Sequence, residues 1–324
     1  NRDYSYTDTA AYASYINEYL LGEYGAINQV LSNTDAYGPT GFGYYRLPSI
    51  VSGYAEVNYS EWNTYTSAYA NYMGGDYLTN YTRFIQQGYL VETDEDYYEG
   101  GYSTFLTSLD MPLMYLGGDT YQNVFTYMHE YGHCNAFYTM KNNDVSLDLC
   151  ETQSQGNEMM FLAYLIETEQ FDESPLEFLK NKQAADMLES LFASSVVNSF
   201  EIALYTSDLE LTADNVSSLL RKTFNNTYKD NYTFDYNSLV KYAEVVMMSS
   251  PGYYISYSTS AVAAFELLIE ALDNYSSAIT SYNYLADYAN YTTFRDTIID
   301  SGLSDPMSEE TFKLVFETNL DKLL

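Results

Sequence analysis

The sequence predicts a mainly α-helical globular domain with one small β-hairpin or sheet near residues 100–117. Apolar side chains recur at spacings of three and four residues along most of the chain, which is the period of a helix with one buried face. Only residues 100–118 show short apolar runs bounded by glycine and interrupted by a turn. With 46% apolar and 17% aromatic residues, the chain can bury a core despite a net charge of −32.

The same charge limits what the chain can bind. Nucleic-acid binding depends mainly on Lys and Arg, and the 324 residues include 13 of these against 45 Asp and Glu. No apolar run reaches the roughly 18 to 20 residues that a membrane span needs. The sequence therefore predicts neither a nucleic-acid partner nor a membrane span.

Helical segments follow one another along the chain. Residues 34–59 are rich in Gly, Pro and Tyr and are predicted as a loop. No repeat or linker divides the chain, so we predict a single domain over residues 1–324, with a helical part at 1–90 and the core of the site at 91–324. The predicted helices span residues 8–32, 60–73, 76–89, 120–139, 146–168, 175–206, 212–224, 236–248, 253–273, 277–300 and 308–323.

The β-structure is predicted as a hairpin. Residues 102–107 and 112–116 form its strands around a turn at 108–111. Proline has no N–H to donate and is tolerated best on an edge strand. Because Pro112 begins the second strand, residues 112–116 are predicted to lie at the edge of the sheet.

The two histidines of the chain stand four residues apart, in the motif His129-Glu-Tyr-Gly-His133. On a helix this spacing places both imidazoles on one face, about 6 Å apart, where they can bind one Zn²⁺. Glu130 then lies beside the water that the metal activates. Val124 and Met128 give the segment a buried helical face, as such a site requires.

A zinc site needs a third protein ligand, and no histidine remains. The ligand is therefore a carboxylate or, less favourably, a thiolate. Residues 144–158 are predicted as the start of a second helix, on which Asp148, Glu151 and Glu158 share one face. We select Glu151, with a solvated acidic face as the alternative for each of the three. Gly156 costs this helix about 1 kcal/mol, which close approach to the histidine helix would explain.

Two cysteines adjoin the predicted ligands: Cys134 follows His133, and Cys150 precedes Glu151. If the two helices run side by side there, the Cβ atoms can approach within the roughly 3.5 to 4.5 Å that a disulfide needs. A residue next to a ligand points about 100° away from it on a helix, so two separate buried thiols are the alternative. The sequence leaves both possibilities open.

These residues together resemble a known family. The segment Glu151-Thr-Gln-Ser-Gln-Gly-Asn-Glu158, after an HExGH motif, is similar to the E-x-x-S-x-x-x-E element of the thimet oligopeptidase and oligoendopeptidase F family of zinc metallopeptidases. The resemblance runs from about residue 90 to residue 324. It implies a multi-helical, zincin-like catalytic domain with Glu151 as the third ligand. Glu158 would orient a ligating histidine. Further similarities lie in Gly100-Gly-Tyr102, Pro112-Leu-Met114, Asp119-Thr120, Phe200-Glu201 and the Tyr-rich segment Pro251–Tyr257.

The sequence departs from this family at two points. Its members usually carry a histidine shortly before the Tyr-rich segment, where this chain has Val245-Val-Met-Met248. They also tend to be about twice as long, with a helical N-terminal half that closes a channel. This chain either lacks that half or is the catalytic portion of something longer.

The activity that the resemblance implies is zinc-dependent endopeptidase (oligopeptidase) activity with one Zn²⁺ per chain. Zinc lowers the pKa of its water and polarises the scissile carbonyl, and Glu130 acts as the general base. An oxyanion donor is also needed, and with no spare histidine it is a tyrosine. Tyr253 and Tyr257 lie four residues apart and are our candidates, with Tyr254 as the third possibility. Peptide substrates would pair with the predicted edge strand 112–116.

Two other functions compete with this one. The chain could be a catalytically inactive surface or binding protein built on a peptidase fold, which the missing histidine and the short N-terminal part suggest. It could also be a metal-dependent hydrolase of a non-peptide substrate. The acidic, Tyr-, Asn- and Thr-rich composition is that of an exported or cell-surface protein, with a cytoplasmic location as the alternative.

Overall fold

The computed structural model describes residues 2–21, 26, 59–87, 89–93, 100–117, 124–141, 146–170, 173–227 and 236–323. These residues are mostly helical and include a three-stranded sheet, so the predicted fold class is confirmed. The strands are β1 (Leu90–Thr93), β2 (Gly100–Leu106) and β3 (Met111–Gly117). The helices are α1 (Tyr6–Tyr15), α2 (Tyr59–Met73), α3 (Gly75–Gln87), α4 (Val124–Met140), α5 (Leu147–Glu167), α6 (Glu173–Thr206), α7 (Ala213–Thr227), α8 (Tyr236–Met248), α9 (Ile255–Ala286), α10 (Phe294–Asp300), α11 (Glu309–Lys313) and α12 (Leu320–Leu323).

The predicted hairpin is present, but its second strand is not at the edge. β2 and β3 pair antiparallel, while β1 pairs parallel with the other side of β3, so the sheet order is β1-β3-β2. The prediction that residues 112–116 form an edge strand is therefore wrong.

Pro112 is tolerated in this central strand for a local reason. The Met114 N–H donates to the Tyr89 carbonyl at 3.0 Å, so the Pro112 nitrogen, two residues earlier, faces the same side of the strand. The described pairing with β1 begins at Leu90 and Met114, beyond Pro112. The N–H that Pro112 lacks would therefore lie outside the described pairing of β1 with β3.

The core is built around α5 and α9. α9 packs along α5, and α4 also packs against α5. Almost every side chain of α5 between Asp148 and Leu165 is buried, including polar ones, as expected of a helix surrounded by others. The stretches Leu179–Thr206 and Ile255–Ala286 are long and apolar enough to cross a membrane, but most of each is buried inside the fold, like the core helices of any large domain.

The predicted break between helices 253–273 and 277–300 is present, as a kink at Asn274 (φ −158°, ψ 89°) where two helices meet within α9. The Asn274 side chain accepts from the Ser277 N–H and so caps the second of these helices. Tyr275, just after the kink, is buried and donates to the Met160 carbonyl of α5 at 2.7 Å. The second helix ends at Ala286 and α10 (Phe294–Asp300) is separate, so the prediction of one helix over 277–300 is wrong.

The described residues include two π-helical turns. One, at Ile16–Leu20, continues α1, and the other, at Leu314–Thr318, lies between α11 and α12. Most of the rest of the predicted helix 8–32, and the predicted loop 34–59 apart from Tyr59, lie outside the described residues.

Candidate metal centre

The two histidines lie on α4 and face the glutamate of α5. The ring centroids of His129 and His133 are 5.1 Å apart, and Glu151 Oε2 lies 3.4 Å from His129 Nε2 and 3.8 Å from His133 Nε2. One potential ligand atom from each residue lies within 4.8 Å of the other two. Tetrahedral zinc with bonds near 2.1 Å holds its ligand atoms about 3.4 Å apart. The three side chains therefore fit a zinc ion with little movement.

Close packing of α4 on α5 brings these ligands together. A Cβ at Gly132 would lie 2.6 Å from the Gln153 carbonyl oxygen and 2.7 Å from the Ser154 Cα, both in the backbone of α5. Gly132, between the two histidines, is thus the residue that permits the close approach. The explanation offered for Gly156 is wrong, because a Cβ there would meet Leu267 of α9 instead.

Glu158 orients His129. His129 Nδ1 lies 2.7 Å from Glu158 Oε1, and the Gln183 side-chain amide of α6 donates to Glu158 Oε2. The bond to Glu158 fixes the ring so that His129 Nε2 faces Glu151.

The electrostatics of the site favour a cation. Burial lowers the pKa of His133 to about 4, so this imidazole is neutral, as a ligand must be. Burial also acts against charge on His129, but hydrogen bonds to Glu151 and Glu158 outweigh it and raise the pKa of this imidazole well above its ordinary value. The two carboxylates thus attract a positive charge, which a divalent ion would supply in place of the proton.

Glu130 lies beside the ligands but points toward β2. The Ser103 hydroxyl is 2.7 Å from Glu130 Oε2 and 3.0 Å from the Glu130 carbonyl oxygen. The side chain is 5% exposed, and this burial raises its pKa to about 7. A carboxylate with such a pKa can take up and release a proton near neutral pH.

The three candidate tyrosines lie at different distances from the proposed metal ligands. Tyr257 lines the cavity together with His129 and Glu130; burial and the nearby charge of Glu151 raise its pKa well above the ordinary value, so it is a neutral donor. Tyr253 lies one step further away, with its hydroxyl 2.7 Å from that of Tyr257. Tyr254 packs on the rings of both and lines a neighbouring cavity of about 300 Å³.

A cavity of about 350 Å³ opens onto the histidine helix. It is bounded by β2, α4, α5 and α6 and adjoins the neighbouring cavity through Tyr257, Asp186 and Ser190. Both cavities are large enough for several side chains of a bound molecule. The cavity of about 350 Å³ is also lined by Gly101, Phe125, His129, Glu130, Gln155, Glu158 and Gln183.

Asp148 differs from the sequence expectation. Its side chain is buried and accepts from Arg2 Nε at 2.9 Å and from the Tyr4 hydroxyl at 2.6 Å, so the solvated face considered for it is absent. These partners come from 144 and more residues away in the sequence, where no local pattern announces them.

The two cysteines are separate thiols. Cys134 is buried, with its Sγ 3.6 Å from the Ser103 hydroxyl, and Cys150 is partly buried. Cys134 directly follows His133, and Cys150 directly precedes Glu151. One residue corresponds to a rotation of about 100° around a helix, so both thiols point away from the face that carries the proposed ligands. The sequence left open a disulfide or two separate thiols, and the structure has two separate thiols.

Ser103 and Gln183, which hold Glu130 and Glu158, are not among the site residues that the sequence predicts. A signal existed for Ser103: in β2 it is two residues from Gly101, so both face the same side of the strand, toward the cavity. Gln183 gave no such signal, because its role depends on how α6 packs against α5.

No protein-family model and no characterised protein sequence matches the chain. Its fold, however, is that of a class of solved peptidase structures. A protein assigned as an oligoendopeptidase F is similar with a TM-score of 0.77 at 17% identity, over 99% of this chain and 60% of that one. Pz peptidase A, solved with an inhibitor, gives 0.77 at 14% identity, over 100% and 59%.

A protein assigned as an oligoendopeptidase F from Bacillus anthracis str. Ames gives a TM-score of 0.71 at 15% identity, over 100% of this chain and 57% of that one. This chain therefore has the fold of these peptidases and spans about three fifths of their length.

Proposed function

We propose that the chain is a zinc-dependent endopeptidase that hydrolyses peptide bonds. The observation that carries the proposal is the convergence of His129, His133 and Glu151 within 4.8 Å of one another, with Glu130 beside them in the wall of a cavity. The peptidase fold of the similar structures supports the same conclusion.

His129, His133 and Glu151 would hold the zinc ion. When bound there, zinc supplies polarisation of the scissile carbonyl and acidification of the attacking water. The protein groups around it handle the protons. Ser103 occupies Oε2 of Glu130, which leaves Oε1 to take a proton from the water and pass it to the leaving amine.

Tyr257 would stabilise the negative charge that develops on the carbonyl oxygen. It is partly buried and neutral, and it lines the cavity beside Glu130 and His129. A preorganised hydroxyl donor in such a place acts mainly on the transition state. Tyr253, hydrogen-bonded to Tyr257, would hold that hydroxyl in position.

Peptide substrates would lie in the cavity itself. Because β3 is the central strand, residues 112–116 are not offered as the docking strand. Gly101 of β2, His129 of α4 and Ser190 of α6 all line this cavity, so a peptide bound in it would lie next to the proposed metal site.

The test is hydrolysis of a quenched-peptide library by the zinc-loaded chain, with zinc content measured in parallel. We expect one zinc per chain and cleavage that a chelator abolishes. Glu130→Gln should keep the zinc and lose cleavage, and Glu310→Gln, remote from the site, should change neither. Bound zinc without cleavage of any peptide would reject the endopeptidase and favour the inactive binding protein.

A further inference from the structure

The predicted oxyanion donors sit at a junction between a turn and a helix. Tyr253 is in the turn, where its N–H donates to the Ser250 carbonyl at 3.2 Å, and Tyr257 is in the first turn of α9. Their hydroxyls meet across this junction at 2.7 Å. How the turn is held therefore decides where the two hydroxyls lie.

Two side chains hold the turn at Gly252. The Gly252 N–H donates to Glu201 Oε1 at 2.6 Å, and the Gly252 carbonyl accepts from Arg2 Nη2, also at 2.6 Å. Gly252 has φ +73°, and a Cβ there would lie 2.7 Å from Arg2 Nη1. Both the left-handed backbone and the close approach of the guanidinium require glycine at this position.

Arg2 also joins the turn to the helix that carries Glu151. Its Nη2 donates to Ser256 in the first turn of α9 at 2.7 Å, and its Nε donates to Asp148 Oδ2 at 2.9 Å. Asp148 stands on α5, three residues before Glu151. One planar guanidinium thus bonds three acceptors, one on the turn and one on each of α9 and α5, which a lysine ammonium cannot reproduce with the same geometry.

Asp148 reinforces the connection from the other side. Its Oδ1 accepts from the Thr259 hydroxyl of α9 at 3.1 Å and from the Tyr4 hydroxyl at 2.6 Å. The Asp148 side chain is 1% exposed, so removing Arg2 would leave a buried charge without its ionic partner.

We infer that Arg2 is a positioning residue that sets the place of Tyr253 and Tyr257 relative to Glu151. The inference rests on the proposed peptidase function, because it assigns these tyrosines to the reaction. Arg2 acts through Gly252, Ser256 and Asp148, which fix the junction against α5.

The test uses Arg2→Met in the full chain, with Arg83→Met as the control. Arg83 also bonds a backbone carbonyl, that of Asp110 at 3.3 Å, and lies over the ring of Tyr138, but it contacts none of the residues of this network. We expect Arg2→Met to lower kcat about tenfold to a hundredfold, the effect of a small displacement of a reacting group, with KM and zinc content unchanged. Arg2→Lys should retain part of the activity, and Arg83→Met all of it.

A double-mutant cycle separates positioning from general destabilisation. In the background Tyr253→Phe/Tyr257→Phe, Arg2→Met should cause no further loss of kcat, because the groups it positions are gone. A further loss equal to that in the unaltered chain would overturn the inference. If Arg2→Met fails to fold, Arg2→Met/Asp148→Asn removes the stranded charge and takes its place in the cycle.

Hydrogen exchange distinguishes this inference from the proposed function. If the unaltered, zinc-loaded chain cleaves no peptide, the proposed function is rejected, and exchange at residues 250–260 alone decides the inference. Faster exchange there in Arg2→Met, but not in Arg83→Met, would support the network. Equal exchange in both variants would overturn it.

Discussion

The surroundings of Glu130 suit the general-base role proposed for it. Ser103 fixes one oxygen, and burial brings the pKa to about 7. Glu130→Gln keeps the shape and the Ser103 contact but cannot accept a proton, so we expect hydrolysis to fall at least about a hundredfold with zinc and fold retained. Peptide cleavage measures the loss of hydrolysis, and circular dichroism checks that the fold is retained. Full activity in this variant would show that another group is the base.

Glu151 is a buried carboxylate and Glu158 a partly buried one, and both lie next to His129, but only Glu151 meets both histidines. Glu158→Ala should weaken zinc binding about 10- to 100-fold through loss of the bond to His129 Nδ1, and Glu151→Ala should weaken it further. Glu167→Ala, an exposed acid on the same helix, is the control. Titration with zinc ranks the three variants, and equal affinities would remove Glu151 from the ligand set.

Tyr257→Phe removes one hydroxyl and leaves the ring packing of the turn. We expect kcat to fall about a hundredfold or more without loss of zinc, because an oxyanion donor acts in the transition state. Tyr253→Phe should have a smaller effect, since Tyr253 reaches the site through Tyr257. Steady-state kinetics of both variants decide the matter. If neither lowers kcat, the donor is not in this segment.

At the scale of elements, the contact between α4 and α5 makes the site. Gly132→Ala would place a methyl group 2.6 Å from the α5 backbone, which cannot yield as a side chain can. We expect about 1 to 3 kcal/mol of lost stability together with weaker zinc binding. Gly156→Ala is the matched control, because its neighbour at 2.9 Å is the end of the Leu267 side chain. Thermal unfolding and zinc titration should therefore separate the two variants.

The elements also show what a sequence can and cannot predict. α4 and the relation of His129 to His133 follow from spacing within one helix, a local property. The position of β3 in the sheet depends on its pairing with β1, in which Leu90 lies opposite Met114, and the local signal at Pro112 carries no information on that pairing, so it gave a wrong strand order. The environment of Asp148 depends on Arg2, 146 residues away, and no local pattern could predict it.

The excess of acidic residues over the whole molecule includes one that is partly buried, Glu189. Glu189 lines the cavity next to Tyr254, and burial together with the nearby Asp186 raises its pKa from 4.5 to about 7. The folded state thus binds a proton more tightly than the unfolded state does. The stability that Glu189 contributes is present below about pH 4.5 and is lost as the pH rises through 7.

Glu189→Gln should therefore gain stability relative to the unaltered chain as the pH rises from about 4.5 to above 7. Denaturant unfolding at a series of pH values measures the difference. Glu310→Gln, on the exposed side of α11, is the control. A constant difference between Glu189→Gln and the unaltered chain at all pH values would mean that the Glu189 pKa is the same in both states.

The location of the protein stays a prediction from composition. A disulfide between Cys134 and Cys150 would have tied the chain to an oxidising compartment, but both thiols are free. The expectation of export therefore depends on the acidic, tyrosine-rich composition alone.

The unequal exposure of the three proposed ligands has a kinetic consequence. His129 and His133 retain 18% and 13% of their side-chain exposure, whereas Glu151 retains 5%. An incoming ion would meet the imidazoles first and the carboxylate last, and it would leave in the reverse order. If zinc binds as proposed, the bond to Glu151 would govern both uptake and release of the metal, and a chelator would capture the ion only after that bond had broken.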